Sequence, residues 1–429
     1  MNFPREATVG LSPQSVQQGS YKGLLLGLLA YIMFEYVRFG VWIPSLAEFH
    51  PQRIIAIVTL ISFVIFYKDP IYHPVILICL LAIIALSTFM NLGDLSRQRA
   101  LDFFKTIAKI TALYYLITNI LIERSNLKKF LIVYLLCNLV LVLTGVATGG
   151  SEGDLSGGVF AGGFLSDSND YALAVNIIFP FFWYFHIYEK QRLRKIIFAI
   201  ATLLCILAVI YSFSRGGFVG LSATILYILL TSRKKLRNLV LLIFLLSILA
   251  TLTPRSYIEK MQTITQAAES SKRSSSQIRL NLWKIGLVMT IRNPLFGVGP
   301  GNYPYKINEY GREVLGDMDE VWFLAGRITH NAFINVSSEL GIPGFLVFMA
   351  LIVIAYKDAA FSQSILDSTK IEKDSLLMPL PSAIRASLIA YCTTSFFLSS
   401  SFYPHVYILS ALAAVTKYNV SNLNFSKSK

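Results

Sequence analysis

Apolar runs of roughly 15 to 20 residues recur along this chain from Gly23 to Val415, each long enough to cross a hydrocarbon core about 30 Å thick. They are too many for a signal peptide. A backbone in lipid must satisfy every N–H and C=O internally, and runs of this length do so as helices. Composition points the same way. The 429 residues are 55% hydrophobic and 14% charged, with a mean hydropathy of +0.59, whereas ordinary soluble domains carry about 25% charged residues. The chain reads as an all-α integral membrane protein, and a soluble globular enzyme is excluded.

Taken one by one, the runs predict spans near 23–37, 53–67, 74–90, 104–122, 130–147, 171–187, 196–213, 216–231, 238–252, 342–356, 383–399 and 403–416, which makes about twelve transmembrane helices. Lys+Arg 38 against Asp+Glu 24 leaves a net charge of +14. No aromatic-interleaved basic patch points to nucleic acid. The bases instead cluster in short loops, as Lys190, Arg192, Arg194 and Lys195 do, and as Arg233, Lys234, Lys235 and Arg237 do; the positive-inside rule places such loops in the cytoplasm. With a cytoplasmic N-terminus, loops 123–129, 188–195 and 232–237 fall inside. Loop 148–170, which has acids but no Lys or Arg, falls outside.

This sidedness divides the chain into an N-terminal transmembrane bundle over 1–252, a large helical periplasmic loop over 253–341, C-terminal transmembrane helices over 342–416 and a cytoplasmic tail over 417–429. The first 20 or so residues and Ser421 to Lys429 are polar and expected to be poorly ordered. Cys79, Cys137, Cys205 and Cys392 fall in separate spans without CxxC spacing, so neither disulfides nor a zinc site are expected. No fixed-period repeat or inverted symmetry is evident, which weighs against a secondary transporter.

The long outer loop is where chemistry is expected. Ile278, Leu282, Ile285 and Met289 recur at helical spacing within Gln277 to Ile291, with Arg279 and Trp283 one turn apart. After Asn293-Pro294 comes the glycine-dense stretch Gly297 to Tyr303, which lets backbone approach a ligand or another helix. It has neither GxGxxG nor a Walker lysine and is not a nucleotide loop. Further on, Thr329 is placed to cap a helix that Gly341 closes. His330 in its first turn would face the positive end of the helix dipole, which favours the neutral imidazole that a general base requires.

Three motifs now stand in order: Ser214-Arg215-Gly216-Gly217 after a span; Arg279-x-x-x-Trp283 followed by Asn293-Pro294-Leu295-Phe296-Gly297-Val298-Gly299; and His330-Asn331 before Glu339-Leu340-Gly341-Ile342-Pro343-Gly344. Together they make the chain resemble the O-antigen ligase and O-antigen polymerase superfamily of bacterial membrane glycosyltransferases, over roughly Leu155 to Val353. Asn169-Asp170-Tyr171-Ala172 looks closer to exopolysaccharide and polymerase-like members. The resemblance implies a GT-C type fold and transfer of a glycan from undecaprenyl pyrophosphate to an acceptor hydroxyl, on the periplasmic side of the inner membrane. The acceptor is the lipid A core oligosaccharide in ligases and another lipid-linked repeat in polymerases. It also implies metal-independent, inverting chemistry without a cofactor, with Arg215 and Arg279 holding the pyrophosphate and His330 activating the acceptor.

The residue chemistry fits these roles. Without a divalent cation, charge developing on a pyrophosphate leaving group needs fixed guanidinium groups, which offer planar multidentate donors. Lys105 and Lys109, one turn apart on the outer side, are candidates for further positive charge; Trp283, Asn331, Asn169 and Tyr303 are candidate substrate contacts. Each has a blander reading: a snorkelling Arg215, an Arg279 stacked on Trp283, interfacial lysines, a helix-surface Glu339. Among the other histidines, His50 is a competitor, His405 at another outer turn is a reserve base, and His73 and His186 should face the cytoplasm. The rival functions are a Wzy-type or exopolysaccharide polymerase, differing only in acceptor, and a transporter of lipid-linked glycans.

Overall fold

The computed structural model describes residues 20–39, 43, 45, 48–67, 70, 75–91, 97–148, 167–232, 240, 275–368 and 376–425. All regular secondary structure among them is helical: α1 (Ser20–Val37), α2 (Pro51–Phe66), α3 (Val75–Met90), α4 (Arg97–Ile120), α5 (Arg124–Thr148), α6 (Ser168–Tyr188), α7 (Arg192–Tyr211), α8 (Arg215–Thr231), α9 (Ser275–Arg292), α10 (Tyr303–Leu315), α11 (Met318–Leu324), α12 (Ala332–Ser368), α13 (Leu380–Ser395) and α14 (Pro404–Phe425). Four helices among the described residues are long and apolar enough to cross a membrane, Arg124–Ala147, Ser168–Tyr188, Arg192–Tyr211 and Ala332–Ser368, and α2, α3 and α8 are shorter apolar helices. The expected span 238–252 apart from Val240, the segment 253–274, and Gly162 to Ser166 lie outside the described residues.

Outward faces are as apolar as inward ones. On α2 only Thr59 and Phe63 are buried, while Ile54, Ile57, Val58, Ile61, Val64 and Ile65 are exposed. A helix bathed in water would present polar side chains there, so this surface belongs in lipid and the chain is a multi-pass membrane protein.

At the centre lies α6, buried along nearly its whole length and packed against α7, α8 and α13. Small residues bring these helices close, as in other membrane bundles. A Cβ on Gly217 would sit 2.5 Å from that of Ala172, and one on Gly216 would sit 2.9 Å from Phe397. Asn176 ties the same junction by donating to the Gly217 carbonyl (2.8 Å) and to Thr394 Oγ1 (3.1 Å). The glycines after Arg215 therefore have a packing purpose: they seat the first turn of α8 on α6 and α13.

Over one end of the bundle, α9, α10 and α11 form a cap around Leu282, Ile285, Met289, Tyr303, Ile307 and Val321. It is fastened where two glycine-bearing motifs meet. Gly297 (φ 63°) and Gly341 (φ 70°) occupy left-handed backbone that favours glycine. A Cβ on Gly297 would collide with the Glu339 carbonyl carbon, and one on Gly341 would lie 2.7 Å from that of Leu295. Val298 N–H donates to the Ser338 carbonyl (2.8 Å), Gly299 N–H to that of Glu339 (3.1 Å) and Ile342 N–H to that of Pro294 (2.8 Å). The glycine-dense stretch thus approaches another helix.

Some boundaries differ from the sequence expectation. The helix expected over 342–356 continues to Ser368, because Ala355, Ala359, Ser362 and Leu366 keep a buried face along the α12–α14 packing. Likewise α14 runs through Ser421 to Phe425, where a disordered tail was expected.

Candidate active site

The segment before α8 is a tight hairpin. Phe213 takes a left-handed φ of 51°, and the Ser214 hydroxyl accepts from Gly217 N–H (3.0 Å) while donating to Asn169 Oδ1 (2.7 Å). Asn169 is thereby held beside Arg215, in the first turn of α6 that Asp167 caps by accepting from the Asn169 and Asp170 N–H groups. Across from α8, α9 brings Arg279 and Trp283 to the same place. Arg215, Ser275, Ser276, Arg279, Trp283 and Phe397 line one cleft of about 290 Å³. The two guanidinium groups are close enough to repel: burial, then Arg215, lowers the pKa of Arg279, and Asp167 opposes the shift. An anion between them would relieve that repulsion.

His330 sits one residue before a helix cap rather than in the first turn of the helix. Asn331 is the cap, its Oδ1 accepting from Phe333 N–H (2.9 Å) and Ile334 N–H (3.0 Å), so the capping role expected of Thr329 falls to its neighbour. Asn331 is buried, with its Oδ1 occupied by this task and its Nδ2 without a partner. Thr329 instead anchors the strap. Its carbonyl accepts from the Trp283 indole (3.0 Å), and its hydroxyl bonds Ser399 Oγ (2.8 Å). His330 N–H donates to the same Ser399 oxygen (2.9 Å). This clamp holds His330 at φ 51°, a left-handed conformation rare outside glycine. Burial lowers the pKa of His330, Arg279 and Arg327 lower it further, and Asp167 pulls it up. Desolvation is the main influence disfavouring the charged imidazole, with cationic neighbours adding to the effect.

Other expected contacts lie elsewhere. Tyr303 is in the core of the cap with its hydroxyl donating to the Leu282 carbonyl (2.6 Å), a consequence of its place on the apolar face of α10. Lys105 pairs with Asp102 (3.2 Å) on α4 with both side chains more than half exposed, Lys109 faces Glu35 on α1, and neither lines the cleft. Glu339 is buried, not on a helix surface. Its carboxylate accepts from Tyr303 N–H (3.3 Å) and Asn335 Nδ2 (3.2 Å), anchoring the start of α10. His405 is buried within α14, bonded to the Tyr36 hydroxyl (3.1 Å). His186 bonds the Lys195 carbonyl (2.9 Å), His50 precedes α2, and His73 lies outside the described residues.

Three residues join the site that sequence reasoning passed over. Asp167 faces both Arg279 and His330; a short acid just before an apolar run is a helix-cap signal that could have drawn attention to it. Ser399 falls at the very end of the expected span 383–399, where nothing local marks a role. For Arg327 nothing local marks a role. Among the described residues no group of three or more His, Cys, Asp or Glu side chains is placed to hold a metal ion.

Residues 200–349 match the family model described as O-antigen ligase. No curated protein matches the chain. The matched stretch runs from α7 into α12 and contains Arg215, Arg279 and His330. Through residues 200–349, this multi-pass membrane protein is similar to the O-antigen ligase family.

Proposed function

We propose that the protein is an O-antigen ligase-like transferase that moves a glycan from undecaprenyl pyrophosphate to an acceptor hydroxyl on the periplasmic face of the inner membrane. The observation that carries this reading is the single cleft shared by Arg215 and Arg279, with His330 in the field of Arg279. The two guanidinium groups bind the pyrophosphate, and His330 removes the proton from the acceptor hydroxyl. The acceptor oxygen bonds the anomeric carbon from the face opposite the leaving group. The bond from that carbon to the pyrophosphate oxygen breaks, its electron pair stays on the pyrophosphate, and the anomeric configuration inverts. Fixed guanidinium groups take the part that a divalent cation plays elsewhere. In this reading twelve spans of a GT-C type bundle carry the segment 253–341 as a periplasmic domain over a lateral groove.

The test is to incubate the purified protein in liposomes with a defined undecaprenyl pyrophosphate oligosaccharide, lipid A core and a chelator. Transfer to the core is expected, and His330→Ala should lower it by about a thousandfold while donor binding persists. Extension of a second donor molecule instead would identify a polymerase, relocation without bond cleavage a transporter, and unchanged turnover in His330→Ala would remove it as the base.

A further inference from the structure

At the end of the bundle away from the cleft a second cationic centre lies between helices. Arg385 is in the second turn of α13, Tyr356 on α12 and Tyr227 in the last turns of α8. Tyr227 is about 18 Å along α8 from Arg215 at 1.5 Å per residue, a large part of a hydrocarbon core about 30 Å thick. Arg385 Nη2 donates to the Tyr356 hydroxyl (2.9 Å), with the guanidinium 4.9 Å from the ring centroid. The Tyr356 and Tyr227 hydroxyls are 3.1 Å apart. The nearby ion pair on α12 is complete without Arg385, since Asp358 is bonded to Lys417 (2.7 Å).

Counting donors shows what is missing. An arginine side chain only donates, so Tyr356 accepts from it. Of the two tyrosine hydroxyl protons, one is used between the rings and one is left without an acceptor, whichever way the bond runs. Arg385 Nε is buried with no partner, and among the described residues no carboxylate bonds the guanidinium. The cluster therefore holds one positive charge and a surplus of N–H and O–H donors, the chemistry that an oxyanion completes. A guanidinium without a counter-ion beside hydrocarbon is costly and in membrane proteins marks a functional contact. The approaches are apolar: Leu230, one turn from Tyr227, and Val353, one turn from Tyr356, are both exposed. A ligand reaching this cluster along such flanks carries acyl chains beside its anion.

We propose that Arg385, Tyr356 and Tyr227 bind the phosphate of an anionic phospholipid headgroup in the leaflet opposite the Arg215–Arg279 cleft. Full-length protein reconstituted into nanodiscs of phosphatidylcholine with increasing phosphatidylglycerol, then examined by native mass spectrometry, tests this. The wild type should retain phosphatidylglycerol in preference to phosphatidylcholine. Arg385→Gln should weaken that retention about tenfold, the loss of one charge-assisted contact, and Tyr227→Phe should weaken it less. Equal retention by wild type and a folded Arg385→Gln overturns the proposal. If Arg385→Gln does not fold, unchanged retention in Tyr227→Phe overturns it. Protection of the wild type by inorganic phosphate, with no lipid retained, also overturns the lipid assignment.

Discussion

Seating a non-glycine residue in left-handed backbone costs about 1–2 kcal/mol, and at His330 the surroundings fix that conformation from two sides. Ser399 receives its N–H and the Trp283 indole holds the preceding carbonyl. The backbone at His330 is thus fixed without using the imidazole, which the proposed function makes the base. Because the pKa of His330 lies below its ordinary 6.5, the neutral form persists as pH falls through that value. Transfer should therefore be flat above pH 6.5 and decline only on the more acidic side. Asp167→Asn keeps a side chain able to cap α6 but deletes the one carboxylate that raises this pKa. A pH–rate profile of that variant should show the acid limb moved to lower pH; a shift to higher pH would contradict the assigned field. Of these residues, Arg215, Arg279 and His330 were legible in the sequence because each stands in a motif. Ser399 and Asp167 were not, since they matter through the partners that folding brings from far along the chain.

Among the elements, the apolar periodicity of α9 was readable, and Ser275–Arg292 buries the expected Leu282, Ile285 and Met289. What no helical period discloses is that the turn after α9 and the kink in α12 are made for each other. Both motifs carry glycine at the contact because main chain meets main chain there, leaving no room for a Cβ, and the φ values favour glycine. Gly341→Ala combines left-handed strain with a Cβ 2.7 Å from the Leu295 carbonyl carbon. Thermal unfolding in detergent should show a loss of more than about 2 kcal/mol, whereas an alanine at Gly23, which has no neighbour within 4 Å, should leave the transition in place.

For the whole molecule, the membrane character was evident from hydropathy alone, and the basic loops add a sidedness that labelling checks. In a background lacking the four native cysteines, Asp319→Cys on α11 should react with an impermeant maleimide from the periplasm, and Lys190→Cys in the loop between α6 and α7 should react only from the cytoplasm. The reverse pattern would turn the molecule over. Less legible was how the cap and the bundle share one chain. The domain boundary expected at Gly341 falls inside α12, so the residues on either side of the kink serve different bodies. The three main-chain hydrogen bonds at this seam, at about 1 kcal/mol each, would all be forfeited if the cap swung upward. That makes the cap a fixed wall rather than a door, and under the proposed function a long-tailed donor would have to enter the cleft sideways between α8 and α9, which both line it.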